Sequence, residues 1–188
     1  MRNLSDEILW KSLKEGDLNA FSILFKKFYP LLHNYGVKIS RNEELTEDTL
    51  QDFFVYIYEH KENLSDLNTI APYLFASFRR FIIRKINKIK KYTVVRSLDY
   101  TIVDINFTPE ELLTHQESTT FRNKNLAQLI NKLPKRQKEV IYLKFHCNLK
   151  PTEIAETIDI NYQSVINTLH KAIKNLREEI AIIQLLNS

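Results

Sequence analysis

Glycine and cysteine are nearly missing from this 188-residue chain, with two of the first and one of the second. Gly16 and Gly36 are too few for the left-handed positions that tight hairpins and phosphate-cradling loops demand, so glycine-rich nucleotide loops are excluded. A single cysteine, Cys147, rules out an internal disulfide and any multi-cysteine zinc site, and suits a reducing compartment. No apolar run approaches the length of a membrane span, and the first residues, Met1 to Glu7, lack a signal-peptide core. A soluble cytoplasmic chain without membrane insertion is the expectation. What is present is 44% apolar residues and 11% aromatics, enough for one domain or two small ones, and the scarcity of turn glycines makes them helical.

The formal net charge of +4 is unevenly spread. Residues 1–70 have a net charge of −4, residues 71–98 carry eight basic groups and no acid, residues 99–120 carry five acids and no base, and residues 121–188 are +5. Two separated basic blocks on an otherwise acidic chain are an electrostatic footprint for a polyanion, whereas either block alone reads equally well as a solvated helix face.

Helical signals run along the chain. Ser5 caps a first helix over 5–15 that Gly16 ends, and Asp17 caps a second that carries Pro30 and stops at Gly36. Ser40 with Glu43 fits a capping box for a third helix reaching His60. Pro72 opens a fourth, on which Phe75, Phe78, Ile82, Ile86 and Ile89 share one arc while Tyr73, Ser77, Arg80, Arg84, Asn87, Lys88 and Lys91 share the opposite one. Periodicity dissolves from about Tyr92 to Thr120, a linker with a helical turn around Pro109 to His115. It returns at Arg122, passes Pro134, and closes on Pro151 to Ile158, a three-residue turn Asp159 to Asn161, and a long helix from Tyr162. That spacing is a helix-turn-helix or an ordinary helical hairpin.

As a DNA reader, the last helix would present Tyr162, Gln163, Ser164, Asn167, Thr168 and Lys171, with Lys174 and Arg177 further along for phosphate. The basic fourth helix, with Tyr73 and flanking Phe81 as its exposed aromatics, suits single-stranded nucleic acid. Enzyme readings fail. Glu47, Asp48 and Asp52 have no His or Cys at ligand spacing, Glu111 and His115 make half a di-metal site at most, and adjacent His146 and Cys147 point apart, so Cys147 packs as a small hydrophobe. No catalytic residue, metal, cofactor or small-molecule substrate is expected.

The order of these features resembles a bacterial RNA polymerase sigma factor of the extracytoplasmic-function group, over nearly the whole chain. DLNAFSILFKKFYPLLHNYG (17–36) looks like the opening helix of region 2, EDTLQDFFVYIYEH (47–60) like region 2.2, PYLFASFRRFIIRKINKIKK (72–91) like regions 2.3 and 2.4, and residues 130–178 like region 4, with Leu-Pro, Glu-Ile-Ala, Ser-Val, Lys-Ala and Leu-Arg in register. The resemblance implies an all-α protein of two small helical domains, 1–91 and 122–188, joined by an acidic linker, 92–121, that threads the RNA-side channels of the polymerase. It implies a promoter-specific initiation factor without catalytic activity. Asp48, Gln51 and Asp52 would dock on the β′ clamp helices, Tyr73, Arg80, Arg84, Asn87 and Lys88 would read and help melt the −10 element, and Gln163, Ser164, Asn167, Thr168 and Lys171 would read the −35 element. Its partners would be core polymerase, including the β flap, promoter DNA and an anti-sigma factor. Asn148 and Asp159 stand where the family has glycines at helix ends, as residues able to adopt the left-handed conformation. The alternative is a free-standing helix-turn-helix regulator, which leaves the Asp48, Gln51 and Asp52 face unexplained.

Overall fold

The computed structural model describes residues 5–67, 69–92, 103–112 and 120–186. These residues form eight α-helices and no strand, in two compact units parted near residue 100. Among them no helix is long and apolar enough to cross a membrane.

The first unit holds α1 (Asp6–Lys14), α2 (Leu18–Ser40), α3 (Glu43–Glu59) and α4 (Ile70–Tyr92). Ser5 Oγ accepts from Ile8 N at 3.4 Å, the acidic first turn suits the helix dipole, and Gly16, at φ +93°, ends the run. Buried Trp10 donates its indole N–H to Ser65 O at 3.0 Å, so its burial strands no donor. Asp17 caps α2 through Asn19 N at 2.8 Å.

Gly36 does not end α2. It is buried inside the helix, where a Cβ would lie 2.6 Å from Thr46 Cγ2 and 2.9 Å from the Phe78 ring. Its missing side chain lets α3 and α4 approach α2, and the helix runs on to Arg41, at φ +58°. The cap of α3 is Asn42, whose Oδ1 accepts from Leu45 N at 2.9 Å, and not Ser40, whose hydroxyl is taken by Asn42 N at 3.0 Å and Thr46 Oγ1 at 2.8 Å. Thr46 and Thr49 are fully buried yet donate to the carbonyls of Asn42 and Leu45 one turn back. Aromatic rings fill the centre, with Phe53 against Phe78 at 5.5 Å and Tyr35 against Phe75 at 5.6 Å. On α4 the apolar arc is buried from Phe75 to Ile86, whereas Ile89, expected inside, is about half exposed because the packing has ended by then.

The second unit holds α5 (Thr120–Lys132), α6 (Lys135–Phe145), α7 (Pro151–Ile158) as far as Ala155, and α8 (Tyr162–Leu186). Asn148 and Asp159 take φ of +55° and +54° at the ends of α6 and α7, the left-handed positions expected of them. Leu149 N returns to Leu143 O at 3.0 Å, and Ile160 N to Ala155 O at 3.0 Å.

The segment expected as a linker is not free along its whole length. Val103, Ile105 and Phe107 alternate inward and are buried, and a 3₁₀ turn follows at Glu110–Leu112. Asn131 grips the backbone of Phe107 from both sides, its Oδ1 accepting from Phe107 N at 2.8 Å and its Nδ2 donating to Phe107 O at 2.9 Å. Lys138, buried on α6, reaches Asp104 at 2.6 Å and Asn106 Oδ1 at 3.5 Å. Residues 103–112 are therefore a strap of the second unit. Residues 93–102 and 113–119 of the same segment, with His115 of the Glu111 and His115 pair, lie outside the described residues.

Candidate nucleic-acid interface

The turn between α7 and α8 is built by its own polar residues. Asn161 Oδ1 accepts from Ser164 N at 2.7 Å, fixing the first turn of α8. Val165 and Ala172 are fully buried on one side of that helix, which leaves Tyr162, Gln163, Asn167 and Lys171 exposed, with Ser164 and Thr168 half-buried at the margin. Gln163 Nε2 donates to Asn167 Oδ1 at 3.1 Å, which links the two exposed amides one turn apart on the outer face. His170, Lys174 and Arg177 line an open surface further along α8 together with Glu178, which pairs with Lys174 at 3.8 Å.

On α4, Arg80, Arg84, Asn87 and Lys88 are all exposed at helical spacing. Lys91 belongs to the same helix, with its side chain outside the described residues. Tyr73 differs from expectation. It is half-buried, its ring stands edge-on to Trp10 at 5.5 Å, and burial raises its phenol above the ordinary tyrosine value despite a hydrogen bond from Ser77. Ser77 Oγ in turn accepts from Arg80 Nη2 at 3.2 Å. Phe81 is also half-buried, against Phe53 at 5.8 Å and Tyr56 at 5.9 Å. The basic face thus presents cations and an amide, with its aromatics seated at the edge.

Asp48, Gln51 and Asp52 are exposed on one face of α3. The structure adds Val55 and Tyr56, 54% and 45% exposed, which fall on the same stripe by i+3, i+4, i+7 and i+8 spacing from Asp48. Neither stood out in the sequence, where the acidic residues are the visible signal of this helix. Asp52 also carries a partner, Lys85 of α4, at 2.6 Å.

The structure brings His33 of α2 beside Glu43 and Glu47 of α3, with ligand atoms within 4.8 Å of one another. Spacing along one helix does not reveal a histidine arriving from the next. The site fits a cation poorly, because both glutamates sit near the N-terminus of α3, whose dipole already favours them and opposes a positive ion. Glu111 spends its carboxylate on Thr108 N at 2.9 Å. Cys147 is buried and its thiol is pushed up to about 12 by burial, as befits a packing residue and not a nucleophile.

Residues 123–176 match the family described as Sigma-70, region 4. The chain is 27% identical over 150 residues to RNA polymerase sigma factor SigV of Bacillus subtilis, covering 80% of this chain and 82% of the relative. It is 24% identical over 179 residues to the ECF RNA polymerase sigma factor SigW of the same organism, covering 90% and 94%. Its fold is shared with the sigma factor RpoE of Bartonella quintana, solved in complex with the anti-sigma factor NepR, at a TM-score of 0.61, 14% identity, and coverage of 88% of this chain and 99% of that one. With its two helical units and a region 4 match over residues 123–176, the chain is similar over most of its length to RNA polymerase sigma factors, an extracytoplasmic-function sigma factor among them.

Proposed function

We propose that this chain acts as a sigma factor that binds core polymerase through the α3 face of Asp48, Gln51, Asp52, Val55 and Tyr56, reads the −10 element with Tyr73, Arg80, Arg84, Asn87 and Lys88 of α4 and helps to melt it, and reads the −35 element with Tyr162, Gln163, Ser164, Asn167, Thr168 and Lys171 of α8. The observation that carries the reading is the outer face of α8: a capped helix entering from a three-residue turn, with paired amides and a lysine exposed on the side opposite its core. The basic face of α4 and the acidic face of α3 support it, one as a phosphate surface and the other as a protein-docking surface. The chain itself catalyses nothing, since the polymerase makes the RNA, and it acts in the cytoplasm where that enzyme works.

The division of labour is that of two domains, 1–91 and 122–188, with the 92–121 segment between them, of which residues 103–112 pack on the second. In the second unit an apolar groove of about 290 Å³, lined by Phe107, Leu112, Ile130, Ile141, Phe145 and Ile173, offers surface for the β flap. An anti-sigma factor, the kind of partner that RpoE has in its solved complex, would cover such surfaces when polymerase is absent.

Gel filtration with bacterial core polymerase, followed by transcription from a promoter library, tests the assignment. Comigration and new start sites are the expected result. Failure to comigrate, with tight duplex binding by the chain alone, would establish the free-standing regulator instead. In the same assay Lys171→Ala is expected to weaken −35 binding and to lower the salt dependence by about one phosphate contact. An unchanged slope removes Lys171 from the phosphate contacts.

A further inference from the structure

The acidic face of α3 and the basic face of α4 meet at one ion pair. Lys85 Nζ donates to Asp52 Oδ2 at 2.6 Å, with the lysine side chain 37% exposed and the carboxylate 56% exposed. Lys85 lies one residue after Arg84 and three before Lys88, both exposed on α4, and one turn after Phe81, which packs on Phe53 and Tyr56 of α3. The cation therefore stands on the seam between the two surfaces. It can neutralise the docking carboxylate or a DNA phosphate, but not both.

We propose that the Asp52–Lys85 pair couples polymerase docking to DNA binding, and that Lys85 is a phosphate contact of the assembled complex and not of the free chain. The proposal rests on the assignment of α3 to polymerase and α4 to the −10 element. A basic group of the polymerase that takes Asp52 releases Lys85 to join Arg84 and Lys88 on DNA. By the reciprocity of linked equilibria, a phosphate that draws Lys85 away leaves Asp52 open to the polymerase by the same factor. An ion pair this exposed supports a coupling of about two- to fivefold and no more.

The test uses the full chain, free and bound to core polymerase, with a labelled single-stranded oligonucleotide carrying the −10 sequence of a promoter that the wild-type complex transcribes. Binding is measured across a salt series for wild type, Lys85→Ala and the near-isosteric Asp52→Asn. In the complex, Lys85→Ala is expected to reduce the slope of log K against log salt by about 0.7, one single-strand phosphate, and to leave the slope of the free chain unchanged. Asp52→Asn is expected to raise the free chain's DNA affinity about two- to fivefold by liberating Lys85. Equal slope changes in both states would make Lys85 an ordinary DNA contact, and no change in either would remove it from DNA; each overturns the coupling. Loss of the underlying assignment looks different, because wild type itself would then fail to comigrate with core polymerase.

Discussion

Replacing Phe107 with alanine is expected to loosen the whole second unit and to leave the first untouched. Phe107 is buried, with its ring edge-on to Tyr142 at 5.9 Å and tilted against His146 at 5.5 Å. Its backbone is held on both sides by Asn131, so the strap cannot slide to refill the space. Truncation of a buried phenylalanine costs about 3–5 kcal/mol, the lost transfer energy plus the cavity left behind. At about 1.4 kcal/mol per factor of ten, that is roughly a hundredfold to a few thousandfold faster hydrogen exchange for the core amides of α6, such as Val140 and Leu143, if they open with the unit. The amides of α2 and α3 in the other unit should exchange as before. Unchanged exchange in α6 would mean that residues 103–112 rest on the unit without stabilising it.

The strap also shows where sequence reading stops. A run of inward Val103, Ile105 and Phe107 with outward Asp104 and Asn106 has the period of an extended segment, but no second strand exists to pair with it among the described residues. Its partner is a helix surface, and the clue, Lys138 at a buried position of α6, only makes sense once Asp104 is found beside it. Gly36 taught the same lesson in another form. A glycine near the end of an apolar periodic run reads as a stop, whereas its use here is the close approach of Thr46 and Phe78, residues distant in sequence. Local chemistry transferred far better. Ser5 and Asp17 cap the helices they were expected to cap, and Asn148 and Asp159 adopt left-handed backbone, because those features depend on a few neighbouring atoms. The candidate interfaces follow the same division. Helical periodicity was enough to bring Arg80, Arg84, Asn87 and Lys88 to one exposed face, but Tyr73, Val55 and Lys85 took their environments from neighbouring helices, which one helix's wheel does not contain.

That distinction decides which residue of α3 should matter most for the proposed docking. The charges were the visible signal, yet Asp52 is exposed and already paired with Lys85, and an exposed ion pair is worth about 0–1 kcal/mol. Tyr56 is different: 45% exposed, stacked on His60 at 4.1 Å between ring centres, and in tilted contact with Phe81 at 5.9 Å. It is a large, pre-positioned aromatic on a face it shares with Asp48, Gln51, Asp52 and Val55, the kind of residue whose truncation in an interface costs about 2 kcal/mol or more. Tyr56→Ala is therefore expected to weaken core polymerase binding by about thirtyfold, measured by titrating labelled core with the full chain. Asp48→Lys, at an exposed position without the Lys85 contact, should act chiefly on the association rate and its salt dependence. A Tyr56→Ala chain with native helix content and undiminished affinity would place the docking surface elsewhere than on the outer face of α3.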